Sequence, residues 1–417
     1  MGMVFQRDSR GLTIGDTMPT ELLVLGLLCV VILWALSAAR LEKSVITLPM
    51  IFTATGFAMS YPIALLAEDH ALREIARVVA EVTLIIVLFA DASHFRPKHL
   101  ATSVFLPLRM LVIGMPLTIG LGTVVAYLIF PSGGWAVALL IAAVLTPTDA
   151  ALGAGVVNSD KLPDRLRQTI NVESGLNDGL ALPFVLFGAI LAGSGGGTGA
   201  LALDALLQVI LGPLAGLAVG WGIARAMNRA QETGWANEES EAIVFLATAF
   251  AAYLLASVIG GNGFIAAFVA GACFGNTYRY DASFITEFME SQGQLATIGA
   301  FVIFGAVLLP VGIAHLSLSA ILLAVLFLTV VRIVPIMVSL LGSHLVLRER
   351  LFLGWFGPRG LASILFALLV VEDYDIPFKD EIQACVVVTV FLSILAHGIS
   401  AAPLARIFAQ KEGASQD

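Results

Sequence analysis

The sequence predicts an all-α polytopic membrane protein of about thirteen transmembrane helices. Of its 417 residues, 59 % are apolar and 12 % charged, with a mean hydropathy of +0.95, whereas soluble domains devote roughly 25 % of residues to charge. The apolar residues gather into runs near the roughly 20 residues a helix needs to cross lipid, parted by short polar or Gly/Pro breaks. Stretches such as Val82 to Ala90 and Ile321 to Val331 are almost uniformly apolar, where a membrane β-barrel would alternate apolar and polar residues over about 10-residue strands. No room is left for a large soluble domain, and the formal charge of −8 matters less than where the charges fall.

In chain order the runs place spans at about 20–39, 44–66, 75–95, 103–129, 134–157, 165–191, 200–226, 241–259, 262–277, 293–311, 314–341, 350–371 and 382–408. The first run starts near Leu22, behind Arg7 and Arg10, and reaches Ala39. It lacks the small-residue cleavage pattern of a signal peptide, so it reads as a retained helix and 1–19 as an N-terminal tail. The third span carries Glu81 and Asp91; the fifth and sixth carry the polar residues taken up below. The Gly-rich stretch Gly193 to Gly199 joins the sixth and seventh spans without the GK[ST] ending of a phosphate loop, so it reads as a linker. Neither nucleotide nor nucleic acid is expected as a partner. The membrane unit then covers about 20–408, with a short tail at 409–417. Cys29, Cys273 and Cys385 sit in separate runs with no metal-ligand spacing and read as packing residues; no cofactor is expected.

Orientation follows from the basic residues. With the C-terminus in the cytoplasm, Arg40, Lys43, Arg96, Lys98, Lys161, Arg165, Arg167, Arg225, Arg229 and Arg279 all fall inside, whereas Arg7, Arg10, Arg73, Arg77 and Lys379 fall outside. The expected placement is therefore a multi-pass inner-membrane protein with the N-terminus outside.

An ionisable group within lipid costs roughly 2.5–3.5 kcal/mol even on the lenient insertion scale, so each one is a functional candidate. The fifth span reads Thr146-Pro147-Thr148-Asp149. Pro147 removes a helix donor and clashes with the preceding turn, which frees carbonyls around Thr146 and Thr148 as oxygen ligands for a cation. The sixth span holds Asn171, Glu173, Ser174, Asn177 and Asp178. Ser174 and Asp178 share one helix face, as do Glu173 and Asn177, so one stripe joins a carboxylate to a hydroxyl and the next a carboxylate to an amide. A polar helix–helix contact is the bland alternative, but two carboxylates within one turn and a half argue against it. The twelfth span carries Gly357-Pro358-Arg359-Gly360, a second break with a buried guanidinium that needs an anionic partner; Glu173 is the candidate. If the first six and last six helices form inverted repeats about the seventh, the two Pro-broken spans are equivalent and cross at a transporter's binding site. Asp149 and Arg359 would then compensate opposing half-helix ends. Asp91 is a weaker candidate ligand, Arg332 reads as structural, and His315, His344 and His397 as interfacial.

Thr148-Asp149, Glu173-Ser174-x-x-Asn177-Asp178 and Gly357-Pro358-Arg359-Gly360 together resemble the NhaP-like cation:proton antiporters, in the group of the sodium/proton exchangers. One departure is Ala150, where many members have proline. The resemblance implies antiport serving pH homeostasis, with no enzymatic activity. It implies a homodimer in the bilayer whose mobile core, helices at about 75–191 and 293–408, moves like an elevator against dimerisation helices from the remainder. Asp178 would bind either H⁺ or Na⁺ (or Li⁺), with Ser174, Thr148 and water completing an oxygen shell, since hard cations take oxygen ligands. Glu173 with Arg359 would be a structural ion pair and Asp149 a stabiliser of the unwound region. Asn177 is neutral where electrogenic relatives have a second aspartate, which implies 1:1 electroneutral exchange. K⁺/H⁺ exchange satisfies the same ligands. A channel would want a filter or pore-lining ring that the sequence lacks, and an intramembrane protease a catalytic pair it also lacks.

Overall fold

The computed structural model describes residues 20–41, 44–66, 69–94, 105–149, 152, 162–193, 199–280 and 283–412. The 1–19 tail, Lys43, Arg96, Lys98, Ala150, Lys161, the centre of the Gly-rich linker and residues 413–417 lie outside the described residues. The described elements are helices: α1 (Thr20–Leu41), α2 (Leu48–Leu66), α3 (Asp69–His94), α4 (Phe105–Arg109), α5 (Met115–Ile129), α6 (Gly134–Val144), α7 (Asp164–Gly193), α8 (Gly199–Glu232), α9 (Glu238–Val258) and α10 (Gly263–Thr277). There follow α11 (Ser283–Ile303), α12 (Leu309–Ala314), α13 (Leu318–Leu328), α14 (Val330–Ser339), α15 (Leu347–Trp355), α16 (Leu361–Asp373) and α17 (Lys379–Glu412). Among the described residues, eight helical stretches are long and apolar enough to cross a membrane.

Local chemistry explains the irregularities. π-Helical turns at Met110–Gly114 and Phe304–Leu308 join α4 to α5 and α11 to α12, each just ahead of a proline, Pro116 and Pro310. A proline ring crowds the carbonyl four residues back, and widening that turn relieves the clash. Helix ends run past the apolar stretches because polar turns at the lipid surface stay helical when capped. Asn237 caps α9 in a reciprocal pair with Ser240, Asn262 caps α10, and Ser317 caps α13.

Packing uses small residues where helices come closest. On α8, Gly212, Gly216 and Gly220 lie against the backbone of Asn262, Ala266 and Ala270 on α10; on the far side of α10, Gly271 and Gly275 meet the carbonyls of Phe89 and Ser93 on α3. A methyl at Gly216 would overlap the Ala266 carbonyl, so this spacing lets backbones touch as in membrane helix pairs. The α3, α8, α9 and α10 side chains form one apolar cluster; a larger cluster spans α6, α7, α11, α13, α16 and α17 and takes in further residues of α3, Ala76, Ala80, Leu84 and Leu88. Outward, Leu36, Leu128, Val258 and Leu318 are 72–83 % exposed, a surface suited to lipid rather than water.

Two interruptions position the site. Helix α6 stops at Val144 and the chain continues through Thr146–Asp149 without helix; α15 stops at Trp355 and α16 resumes at Leu361. The two non-helical segments meet, the Asp149 amide donating to the Pro358 carbonyl at 2.8 Å.

Candidate functional site

Around Pro147 the freed backbone is taken up by the second break and by helices α16 and α7. Arg359 sends Nη1 to the carbonyls of Thr146 and, at 3.1 Å, Pro147. Ser363 on α16 donates to the Val144 carbonyl at 2.8 Å. Asp149 turns toward the second break, its Oδ2 accepting the Leu361 amide at 3.0 Å, where a carboxylate at a helix N-terminus is stabilised by the orphan N–H groups and the dipole.

The polar stretch of α7 meets Thr148. Ser174 Oγ donates to the Thr148 carbonyl at 2.5 Å. Asn177 donates from Nδ2 to Thr148 Oγ1 at 2.6 Å and accepts the Thr148 amide on Oδ1 at 3.3 Å. Thr148 Oγ1 in turn donates to Glu173 Oε2 at 3.3 Å. Amide, carbonyl and hydroxyl of one residue are thus held by α7 in buried surroundings, which restrains the backbone of the break.

The guanidinium that meets Glu173 is Arg332's, a correction to the expected Glu173–Arg359 pair. Arg332 Nη1 and Nη2 reach Glu173 Oε1 and Oε2 at 2.8 and 3.0 Å, both side chains 3 % exposed. The cause lies in the eleventh span, where the helix breaks between α13 and α14 at Thr329 and Pro335 withholds a donor from the next turn. This bend carries Arg332 inward. Arg359 spends its charge on the carbonyls of the first break instead, and its Nε and Nη2 have no hydrogen-bond partner among the described residues.

Asp178 sits one turn beyond Ser174 on the same face of α7, 8 % exposed. Its Oδ1 is buried with no hydrogen-bond partner among the described residues, a costly arrangement unless the oxygen takes a proton or a cation. The carboxylates of Asp91, Asp149 and Glu173 are near enough to act on it electrostatically. Asp91, on α3, lies beside Gly175, where an added Cβ would approach the aspartate Cβ to 3.4 Å. The structure therefore brings Thr148, Glu173, Ser174 and Asn177 into direct contact, sets Asp178 and Asp91 beside them, and turns Asp149 and Arg359 to the crossing of the breaks. Sequence reasoning missed Arg332 as the partner of Glu173, and it missed His397, which is fully buried against the second break. For Arg332 the available signal was a charge inside an apolar run; for His397 it was a serine four residues earlier, Ser393.

Among known proteins, the chain is similar to the K⁺/H⁺ antiporter NhaP of Alkalimonas amylolytica, 24 % identical over 80 % of this chain and 58 % of that protein. It is 26 % identical to the K⁺/H⁺ antiporter NhaP2 of Shewanella oneidensis, over 86 % of this chain and 62 % of that one. It is 27 % identical to a Na⁺/H⁺ antiporter of Saccharomyces cerevisiae, over 75 % and 33 %. The chain thus spans about 60 % of the length of these bacterial relatives. Its fold matches the sodium proton antiporter MjNhaP1 of Methanocaldococcus jannaschii with a TM-score of 0.76 at 20 % identity, covering 94 % of this chain and 99 % of that one. The family model described as "Sodium/hydrogen exchanger, transmembrane" matches residues 25–407, nearly every element laid out above, and the chain accordingly belongs to that family of multi-pass membrane transporters rather than to any family of enzymes.

Proposed function

We propose that this protein exchanges a monovalent cation, Na⁺ or Li⁺ first, for H⁺, one for one, through competition at Asp178. The observation that carries the reading is the buried, partnerless Oδ1 of Asp178 one turn from the Ser174–Thr148 contact. A proton or a cation neutralises that carboxylate, and binding of one disfavours the other. Ser174 Oγ and the Thr148 carbonyl, already 2.5 Å apart, supply neighbouring oxygens once the hydroxyl turns away, with water and Asp91 as further donors. Glu173 with Arg332 and Asn177 with Thr148 hold the frame, while Asp149 and Arg359 stabilise the crossing.

This reading extends to the whole molecule. We take the chain to cross an inner membrane in about thirteen spans built as two inverted six-helix repeats, C-terminus cytoplasmic. We take it to work as a homodimer whose core, about 75–191 and 293–408, slides against the rest. Helix α3 packs on both sides, since its residues enter both apolar clusters. K⁺/H⁺ exchange is the second reading, favoured by the names of the bacterial relatives. Dequenching of a pH-sensitive dye in everted vesicles on adding Na⁺, Li⁺ or K⁺ tests both. Na⁺ and Li⁺ responses with little for K⁺ support the first, a K⁺ response the second, and no response to any of the three refutes antiport.

A further inference from the structure

Ser393 and His397 of α17 are fully buried and have no place in the site described above. A buried serine or threonine in a helix ordinarily returns its hydroxyl to the carbonyl four residues back, as Thr389 does to Cys385 at 2.6 Å. Ser393 instead contacts His397 Nδ1 at 3.1 Å and accepts the Arg359 amide at 2.6 Å. His397 Nε2 lies 3.0 Å from the Trp355 carbonyl, with the ring packed 5.1 Å from the Trp355 ring. His397 Nδ1 also lies 3.1 Å from the Ser393 carbonyl, so each ring nitrogen faces a backbone carbonyl, which only accepts. The result is a buried cluster: the Arg359 N–H donates to Ser393 Oγ, Ser393 contacts His397 Nδ1, and His397 Nε2 contacts the Trp355 carbonyl. Trp355 is the last residue of α15 and Arg359 stands just before α16, so the pair bridges the two sides of the second break.

The consequence passes to the first break. Arg359 grips it through Nη1 alone, on Thr146 and Pro147, while Nε and Nη2 make no hydrogen bond among the described residues. A guanidinium held at one nitrogen depends on its backbone for placement. We propose that Ser393 and His397 are positioning residues that fix Arg359 and, through it, the carbonyls next to Thr148, so that cation affinity depends on them; the affinity part rests on the cation site proposed above.

The test uses the full-length protein in proteoliposomes, with Na⁺ as the probe, and the same purified protein for amide hydrogen exchange across residues 355–361. Ser393→Ala leaves the buried Arg359 N–H without its partner, worth about a tenfold change in an equilibrium. We expect the KM for Na⁺ to rise about tenfold with Vmax within about twofold, and exchange at the break to quicken. Ser393→Thr, which keeps the hydroxyl, restores both; Ser393→Cys, close in size but a poor acceptor, behaves as alanine does if the alanine variant fails to fold. Quickened exchange in Ser393→Ala together with a wild type that moves no cation supports the positioning and removes the cation reading. Unchanged exchange, or quickened exchange with an unchanged KM in a protein that does transport, overturns the proposal.

Discussion

At the level of single residues, the proposed chemistry concentrates on Asp178, and a conservative change there is the sharpest probe. Asp178→Asn keeps the shape and removes the titratable oxygen. It should abolish Na⁺-driven dissipation of a pH gradient while leaving thermal stability near wild type, because the orphaned Oδ1 contributes no bond to lose. The Glu173–Arg332 pair predicts the opposite pattern. Both partners are buried and joined by two hydrogen bonds, so Glu173→Gln strands a buried guanidinium at a cost of about 3–5 kcal/mol. Thermal unfolding in detergent should drop sharply for that variant and recover in large part when Arg332→Met removes the stranded charge as well. A Glu173→Gln protein with unchanged unfolding would show that the pair is not structural. The candidate site residues stood out because charge inside an apolar run is rare. Their pairing did not, since Arg332 and Arg359 are both isolated arginines in such runs. Which one reaches Glu173 is decided by the bend at Thr329, a local backbone event that no spacing rule encodes.

At the level of elements, both breaks were readable from Pro147 and Pro358, because a proline in an apolar span has few other meanings. Helix ends were less so: α11 begins at Ser283, well before its apolar stretch, since hydrophobicity marks the lipid boundary and not the last helical turn. The crossing of the breaks leaves no room for side chains. A Cβ at Gly360 would fall on the Asp149 carboxylate, and one at Gly357 on the Arg332 guanidinium. Gly360→Ala is therefore expected to displace Asp149 from the Leu361 amide, lower the unfolding temperature by an amount matching about 1–3 kcal/mol, and reduce exchange. Gly222→Ala is its control: on α8, with open space around the added methyl, it should be neutral or stabilising by up to about 1 kcal/mol, because alanine favours helix over glycine. Equal behaviour of the two variants would mean that the crossing is not sterically tight.

At the level of the whole molecule, the number of charges that move in each half-cycle follows from how many carboxylates change occupancy. Asp91 and Asp149 act on Asp178 from nearby, but Asp149 is committed to the Leu361 amide and Glu173 to Arg332. Asn177, the neighbour of Asp178, is uncharged and bound to Thr148. On the proposed mechanism one carboxylate alternates between a protonated and a Na⁺-bound form, and both forms carry the same charge across the membrane. A potential acts on the transport step only through net charge moved, at about 2.3 kcal/mol per elementary charge per 100 mV. An electroneutral cycle should accordingly ignore it. In proteoliposomes with a K⁺ diffusion potential set by valinomycin, Na⁺-driven proton movement should proceed at the same rate with the interior positive, negative or at zero. A rate that tracks the imposed potential would mean a second proton travels with the first. Asp91, beside Gly175 and near enough to act on Asp178, would then be the group to substitute, and Asp91→Asn should remove the voltage dependence if it carries that proton.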